Sequence, residues 1–541
     1  MFRKSSCIVL ALLMMVTVFA ACSQPAGTPA ATTAPAATTA PAAGGTTAAP
    51  EAPAVDTSKH ANLVMYMTGS TTPRDMDMVV AEMNKYTEKE LNASLEFNIF
   101  NDPNTAQKMT MLLASGEPID LIYAAGWITY SQFVNKNAYL PLDDIVPVAS
   151  PALQNYVSEE MWDATRVGGK IYMVPCMWPE WTPYGFMWRE DLRKQYNLPE
   201  PKDLQSFEDF MQGVKDSVPD IQVTGERILT QGQLGTYFSA WEVLDEKYKW
   251  ADWRVPYGLY IPYEKPAEVE NWYESAGFKE DMLMFKKWAD AGFWTKSALA
   301  TTETESDAFK AGKIAVDVAF NSPQGYAAMV NEMSISHPEW EIGWWPFHRN
   351  KKLSVANHAT QNGFAVPITS QNPERAIMLL ERLILDKEFH LLSQYGIEGT
   401  HYTLDANGFY EYVGDPASSG FGREAARLWA TRNTEFMLYP ANTYQIVQDI
   451  NAELSTYTYP NIWTGFTENA DSYQAERAAF LDVQAQFLPA IQAGLVDNLD
   501  TAIEELVSKS KVAGLDKIRE GYITQWKAYL DDKGYGETVV K

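Results

Sequence analysis

The sequence predicts an α/β protein of two or three domains, and three observations carry that prediction. Residues 62–123 alternate short apolar runs with amphipathic stretches in a βαβαβ order, similar strand–helix pairs recur near 314 and 363, and from about Arg423 the chain reads as mostly helical. Such alternation packs as a mostly parallel sheet covered by helices. At 541 residues the chain is longer than one domain of roughly 100–200 residues.

The first element is the apolar run 62–69, closed by Gly69, Ser70 and Thr71, which reads as a buried strand leading into a loop. Thr72 suits a helix N-cap, with Pro73 at the first helical position and Asp75 at the third. Val79, Met83 and Tyr86 then recur at i, i+4 and i+7, the spacing of one helix face. Residues 95–100 alternate as a second strand. Asp102-Pro103 opens another helix through Met109, Leu112 and Leu113, which Gly116 is placed to end. Residues 119–123 form a third strand and run into Ala124-Ala125-Gly126-Trp127. Ligands of open α/β sheets sit beyond the carboxyl ends of the strands, where the loops 69–71 and 124–127 fall. Later, 314–320 reads as a strand leaving into Asn321-Ser322-Pro323. Residues 363–368 are another, followed by Asn372 as a cap, Pro373, and a helix through Ile377, Leu380 and Leu383. Turns near Pro440, Pro460 and Gly494 divide the helical tail, and no repeat of fixed period occurs.

Hydrophobic residues make up 46% and charged residues 21%, an ordinary globular balance. Lys and Arg total 43 against 69 Asp and Glu, a net charge of −26. So acidic a chain lacks the basic footprint that nucleic acid or anionic lipid requires. Six His and three Cys leave little material for a soft-metal site, and no cofactor is expected. Aromatics reach 13%, with 17 Trp and 28 Tyr. Acidic and Trp-rich together point to an exported protein that handles small polar molecules.

Residues 1–21 read as a signal peptide. Arg3 and Lys4 give the positive start, and the apolar run from Cys7 to Ala21 is too short to span a bilayer comfortably. It ends Phe19-Ala20-Ala21-Cys22, which resembles a bacterial lipobox with Cys22 as the lipidated thiol. Phe19 departs from the usual Leu, Val or Ile, and a plain secretory cut near Ala20-Ala21 is the alternative. Cleavage before Cys22 removes Arg3 and Lys4, so the charge becomes −26 − 2 = −28. It also removes Cys7 and leaves Cys176 alone, so no intramolecular disulfide is expected. Residues 22–57 are rich in Ala, Thr and Pro and lack the large apolar groups that would offset ordering entropy, which predicts a disordered tether.

Several stretches in order resemble the extracellular solute-binding proteins of ABC importers, the maltose-type family 1, and nearer still its larger Gram-positive lipoprotein subgroup. They are LLASGEPIDLIYAAGW at 112–127 with YLPLDDI at 139–145, VGGKIYMVP at 167–175 with YGFMWREDL at 184–192, NGFAVP at 362–367 with NPERA at 372–376, and QYGIEGTHY at 394–402. Beyond 410 the likeness rests on helical character and AGLDKI at 513–518. The resemblance implies a type II periplasmic-binding-protein-like fold of two α/β lobes. The lobes are read as 58–176 with 361–405, and 177–360 with 406–541. It implies a solute held in the cleft, no chemical reaction, and a membrane permease and its ATPase as partners. The protein is expected at the extracellular face of the membrane, lipid-anchored and monomeric.

Closure of two lobes buries a solute from both sides. Sugars present CH faces that fit flat rings and hydroxyl edges that fit carboxylates and amides, so an oligosaccharide is the expected ligand. Trp127 is the first candidate, at the end of the third strand. Trp178 and Trp181 follow, with Tyr184 and Trp188, on the first crossing between lobes; Trp188 sits in an apolar alternating run and is the more core-like. Trp241 lies in a Gly-rich stretch, and Trp344-Trp345 and Trp463 are more distant candidates. Asn321 follows a strand end. Glu398 sits between glycines and either meets the ligand or braces the hinge. Gly69 and Ser70 could offer backbone N–H and hydroxyl groups. Glu117 and Asp120 are expected mainly as solvated or turn-capping carboxylates.

Three rival functions are open. A glycosidase needs two carboxylates flanking one bond, yet no stretch marks such a pair, and G-x-S-x-G, H-E-x-x-H, Walker A and dinucleotide motifs are absent from the sequence. A peptide receptor of an ABC importer would instead need free main-chain partners in the cleft. A surface adhesin or scaffold would not close on a small solute.

Overall fold

The computed structural model describes residues 55–535, apart from 70–71, 102–104, 129, 179–184, 227–255, 302, 319–321, 347–348, 351, 353, 357–358, 415–417, 464 and 467. The signal peptide, Cys22, nearly all of the tether, and Ser70, Trp181, Tyr184, Trp241 and Asn321 lie outside the described residues.

The opening is β1 (Ala61–Gly69), α1 (Met76–Leu91), β2 (Ala93–Asn101), α2 (Thr105–Ser115) and β3 (Leu121–Ala124). β1 alternates, burying Leu63, Met65 and Met67, and α1 buries Met76, Val79, Met83 and Leu91 at helical spacing. β1 pairs in parallel with both β2 and β3. The βαβαβ reading therefore holds. Gly116 follows α2 at φ +78, a left-handed turn that glycine adopts without a Cβ clash. The start of α1 differs from expectation: the N-cap is Asp75, not Thr72, and Pro73 lies before the helix. Tertiary bonds decide this. The Asp75 N–H donates to the Gly420 carbonyl, and its carboxylate takes two bonds from Arg74.

A short strand, β4 (Val174–Pro175), ends this part. Then come β5 (Gly185–Arg189), α3 (Leu204–Ser217), β6 (Gln222–Thr224), α4 (Ala276–Asp290), β7 (Ile314–Asp317), α5 (Pro323–Ser336) and β8 (Ile342–Pro346). The chain continues through β9 (Ser354–Val355), β10 (Gly363–Ala365), α6 (Pro373–Leu385), α7 (Lys387–Tyr395), a hairpin β11 (Tyr402–Leu404) and β12 (Tyr410–Tyr412), and α8 (Ala441–Ser455). It closes with β13 (Thr458–Tyr459), α9 (Gln474–Gln492), α10 (Leu499–Val512) and α11 (Leu515–Lys533). Asn372 and Pro373 start α6 as read from the sequence, and Gly494 turns the chain after α9 at φ +64.

Two main sheets result, ordered β2-β1-β3-β10-β4 and β8-β5-β7-β6. Parallel pairing is narrower than the opening implies. β10 is antiparallel to β3 and β4, and β5 is antiparallel to β7 and β8, because these strands carry the chain between the sheets. Each sheet has its own large core. The first gathers Met65, Val79, Leu121, Phe364, Leu380 and, from far along the chain, Phe421 and Leu428. The second gathers Phe186, Phe207, Phe285 and Trp288 with Trp463 and Trp526 of the helical tail. At about 1.5–3 kcal/mol for each fully buried large apolar side chain, burial of this kind is the main stabilising term.

The register aligns the sheets for function. β4 leaves the first sheet at Pro175, beside Gly363, and β10 returns there, opposite Ala124. β5 begins at Gly185 opposite Pro346, the last residue of β8. Chain passing between the sheets therefore leaves and joins each at the edge where its parallel strands end. β9 and β13 pair side by side, which ties the return segment to the approach of the helical tail.

Candidate functional site

β3 is buried at all four positions, and its last residue, Ala124, pairs with Gly363 where the return crossing joins the sheet. The Gly126 N–H donates to the Thr360 carbonyl at 2.7 Å, and a Cβ at Gly126 would stand 3.1 Å from the Thr360 hydroxyl. Glycine thus lets the strand end lie against the return crossing. A single 3-10 turn, Gly126–Ile128, follows. Ile128 anchors it inward while Trp127 turns outward with 46% of its surface exposed. The Trp127 ring is not free to swing: its indole N–H donates to the Gln361 carbonyl at 3.0 Å, and it leans on Tyr123 at 5.9 Å. The Tyr123 hydroxyl in turn donates to the Asn362 side-chain carbonyl.

Trp429 stands edge-on to Tyr123, 6.3 Å between centroids. The Arg427 guanidinium lies 5.6 Å over the Trp429 ring, and burial pushes that guanidinium below its ordinary value. The Arg427 stem crosses the end of β1: a Cβ built on Gly69 would meet Arg427 Cδ at 3.0 Å and Ile99 Cγ2 at 2.9 Å. On the outgoing crossing, the Cys176 N–H donates to the Asn362 carbonyl at 2.9 Å, and its thiol donates to the Trp429 carbonyl at 3.2 Å. The Trp178 N–H donates back to that sulfur at 3.4 Å. Trp178 is 8% exposed, has Arg432 5.7 Å over its ring, and its indole N–H finds no acceptor among the described residues. Arg432 pairs with Glu424. Burial works to raise its carboxyl, but Arg432 and Arg423 outweigh that and hold it below the usual carboxylate range.

The structure therefore places Gly69 and Trp127 at the carboxyl edge of the first sheet, while Trp178 is buried in a separate cluster with Tyr395, Tyr402 and Tyr410. It adds Tyr123, Arg427 and Trp429, which sequence reasoning missed. Two expected residues lie elsewhere. Trp463 is a core residue: it is 4% exposed, stacks on Trp526 at 4.2 Å, and its indole N–H donates to the Tyr522 hydroxyl at 3.3 Å. Glu398 is exposed in the turn after α7 and bridges to Tyr402 through its backbone. Trp188 and Trp344 are buried as well, Trp344 stacked on Tyr326 at 5.3 Å. Asp120 caps structure: its carboxylate accepts from the Val64 and Asn372 N–H groups and the Ser370 hydroxyl. Among the described residues no cluster of His, Cys, Asp or Glu could hold a metal, and no helix is long and apolar enough to cross a membrane.

Two α/β lobes, with chain crossing between the ends of their strands, define a type II periplasmic-binding-protein-like fold. Residues 69–384, more than half the chain, match the family described as bacterial extracellular solute-binding protein, and the chain belongs to that family. Residues 462–531 match a domain of unknown function. A relative from Streptococcus pneumoniae serotype 4, a carbohydrate ABC transporter substrate-binding protein, is 24% identical over 89% of this chain and 93% of its own length. Among solved structures, the fold is similar to the N-glycan transport solute binding protein of Streptococcus pneumoniae in complex with Man1GlcNAc, at TM-score 0.69 and 20% identity over 87% of this chain and 100% of that one. It is also similar to the alginate-binding protein AlgQ2 without calcium ion, at TM-score 0.61 and 15% identity over 86% and 98% of the two chains. A third is the Streptococcus pneumoniae substrate binding protein FusA in complex with kestose, at TM-score 0.58 and 14% identity over 87% and 99%.

Proposed function

We propose that this protein is a lipid-anchored receptor that captures an oligosaccharide between its lobes and hands it unaltered to an ABC permease. The observation that carries this reading is the exposed Trp127 ring at the end of β3, held in place by its own N–H bond and backed by the buried Tyr123. A ring fixed before the ligand arrives loses little entropy on binding, and its face suits the CH face of a pyranose. Names of the relatives support the same class: their ligands include N-glycan fragments and the fructan kestose. Gly69, at the end of β1, makes room for the Arg427 stem beside this corner. Trp181, Trp241, Asn321 and Ser70 complete the site from outside the described residues, and Cys22 carries the lipid. Lobe 1 is then 58–176 with 361–405 and the 421–432 segment that joins its core; lobe 2 holds 185–346 and the helical tail. The protein works as a monomer and without turnover.

Calorimetry against Man5GlcNAc, kestose and alginate oligomers, beside a panel of short peptides, tests this. One oligosaccharide class should bind at one site per chain and be recovered intact by chromatography. Binding confined to peptides, or cleaved sugar in the recovered fraction, overturns the reading.

A further inference from the structure

Residues 433–440 carry the chain between the lobes a third time. Before them, Leu428 and Ala430 belong to the core of the first sheet, and the buried Asn433 amide donates to the Ile384 carbonyl of α6 at 2.9 Å. After them, Ile450 and Leu454 of α8 pack with Phe309, Ile314 and Met329 of the second lobe. The Asn442 amide, in the first turn of α8, donates to the Ser334 hydroxyl of α5 at 3.0 Å, so α8 is rooted in lobe 2 from its start. Pro440 stands just before that start, as the N-cap residue.

The hairpin β11–β12 belongs with lobe 1. Its Tyr402 and Tyr410 stack at 5.6 Å and pack on Tyr395 of α7, which is wholly buried. The Tyr395 hydroxyl donates to Met437 Sδ at 3.5 Å and accepts the Leu438 N–H at 2.8 Å, and the Tyr410 N–H donates to the Tyr439 carbonyl at 3.0 Å. Hairpin and crossing are thereby one unit with lobe 1 as far as Tyr439. Just beyond, a contact spans the passage from one lobe to the other. The Tyr444 ring of α8 lies 5.5 Å from Phe409 of the hairpin loop and 5.9 Å from Tyr439. Tyr444 keeps 40% of its surface exposed and Phe409 is half-buried. So shallow a pair adds little to either core, yet a rotation of one lobe about 439–441 would part it. The arrangement in which the pair is made also leaves Trp127 46% exposed, open to an incoming solute.

We propose that Phe409 and Tyr444 form a latch that favours this open arrangement, and that closure on a solute must part them. The inference rests on the receptor reading above and adds the element that sets its open–closed balance. An aromatic pair of this kind shifts a two-state equilibrium by about two- to tenfold. A solute that binds the closed arrangement has its affinity scaled by the population of that arrangement. Loss of the latch should therefore tighten binding by a similar factor, although neither ring touches the solute.

Tyr444→Ala, Phe409→Ala, the double variant and Tyr444→Phe, each titrated with Man5GlcNAc and with kestose, test this, together with small-angle scattering of the same proteins free of ligand. The expected Kd is about two- to tenfold below wild type in each alanine variant and no lower in the double variant, because both changes remove one contact. Tyr444→Phe keeps the ring and should match wild type. The ligand-free double variant should have a smaller radius of gyration than wild type. Unchanged or weaker binding in both alanine variants overturns the latch, while the wild-type titration leaves the oligosaccharide reading standing. A wild type silent toward both sugars overturns the oligosaccharide reading instead. The radius then decides the latch, and a ligand-free double variant as large as wild type overturns it.

Discussion

Trp127 is the residue on which most depends, and its environment separates binding from stability. The ring is 46% exposed and contributes little to the core, while its fixed orientation is suited to stacking. Trp127→Ala should therefore weaken sugar binding by about 2 kcal/mol, roughly 30-fold in Kd, while stability changes by no more than about 0.5 kcal/mol. Calorimetry and a melting curve on the same sample check both halves; a large stability loss with intact affinity would place this tryptophan in the core. Trp127 was legible from the sequence because it ends an apolar run that follows two strand–helix units. Trp463 offered a similar surface reading and went to the core instead, because only tertiary packing sets it against Trp526. Gly69 was legible as special, but for another reason than expected: it makes room for the Arg427 stem.

The strand and helix elements near the start follow local rules, and the departures come from distant contacts. α6 begins where Asn372 and Pro373 say it should, whereas α1 begins late because Gly420 holds Asp75. The α6–α7 pair also contains a titratable group with a clear sign. His390 is wholly buried, its Nδ1–H donates to the Leu383 carbonyl at 2.8 Å, and burial holds its pKa below the ordinary value. The unfolded chain therefore takes up the proton first as pH falls. The stability this neutral histidine contributes is present above about pH 6.5 and is lost as pH falls from there through its folded value. Melting temperature should decline between about pH 7 and 5, before most carboxylates titrate, and His390→Gln should flatten that decline. An unchanged slope in His390→Gln would remove His390 as the cause. The helical tail was legible as helices. Its role was not, since Trp526 and Arg519 act by reaching residues more than 250 positions earlier: Trp526 donates to the Pro266 carbonyl, Arg519 to those of Tyr257 and Gly258.

With both sheets turned so that their strand ends meet the crossings, a solute bound at those ends touches the segments that join the lobes. A ligand that contacts both lobes favours the arrangement in which they are closer, and hinge closure is the response such folds allow. Small-angle scattering with and without saturating sugar should show a smaller radius of gyration in the bound state. An unchanged radius at proven saturation would remove the hinge from the mechanism. Apolar periodicity, Pro and Gly punctuation and the Trp127 turn were written in local order, because each depends on neighbours within a few positions. The aromatic corner was not. Tyr123, Trp429, Arg427, Cys176 and Gln361 meet only after the chain has crossed between lobes and come back, and no local pattern records which distant loop will close that corner. Local chemistry decided the elements and one site residue; long-range packing decided what surrounds it.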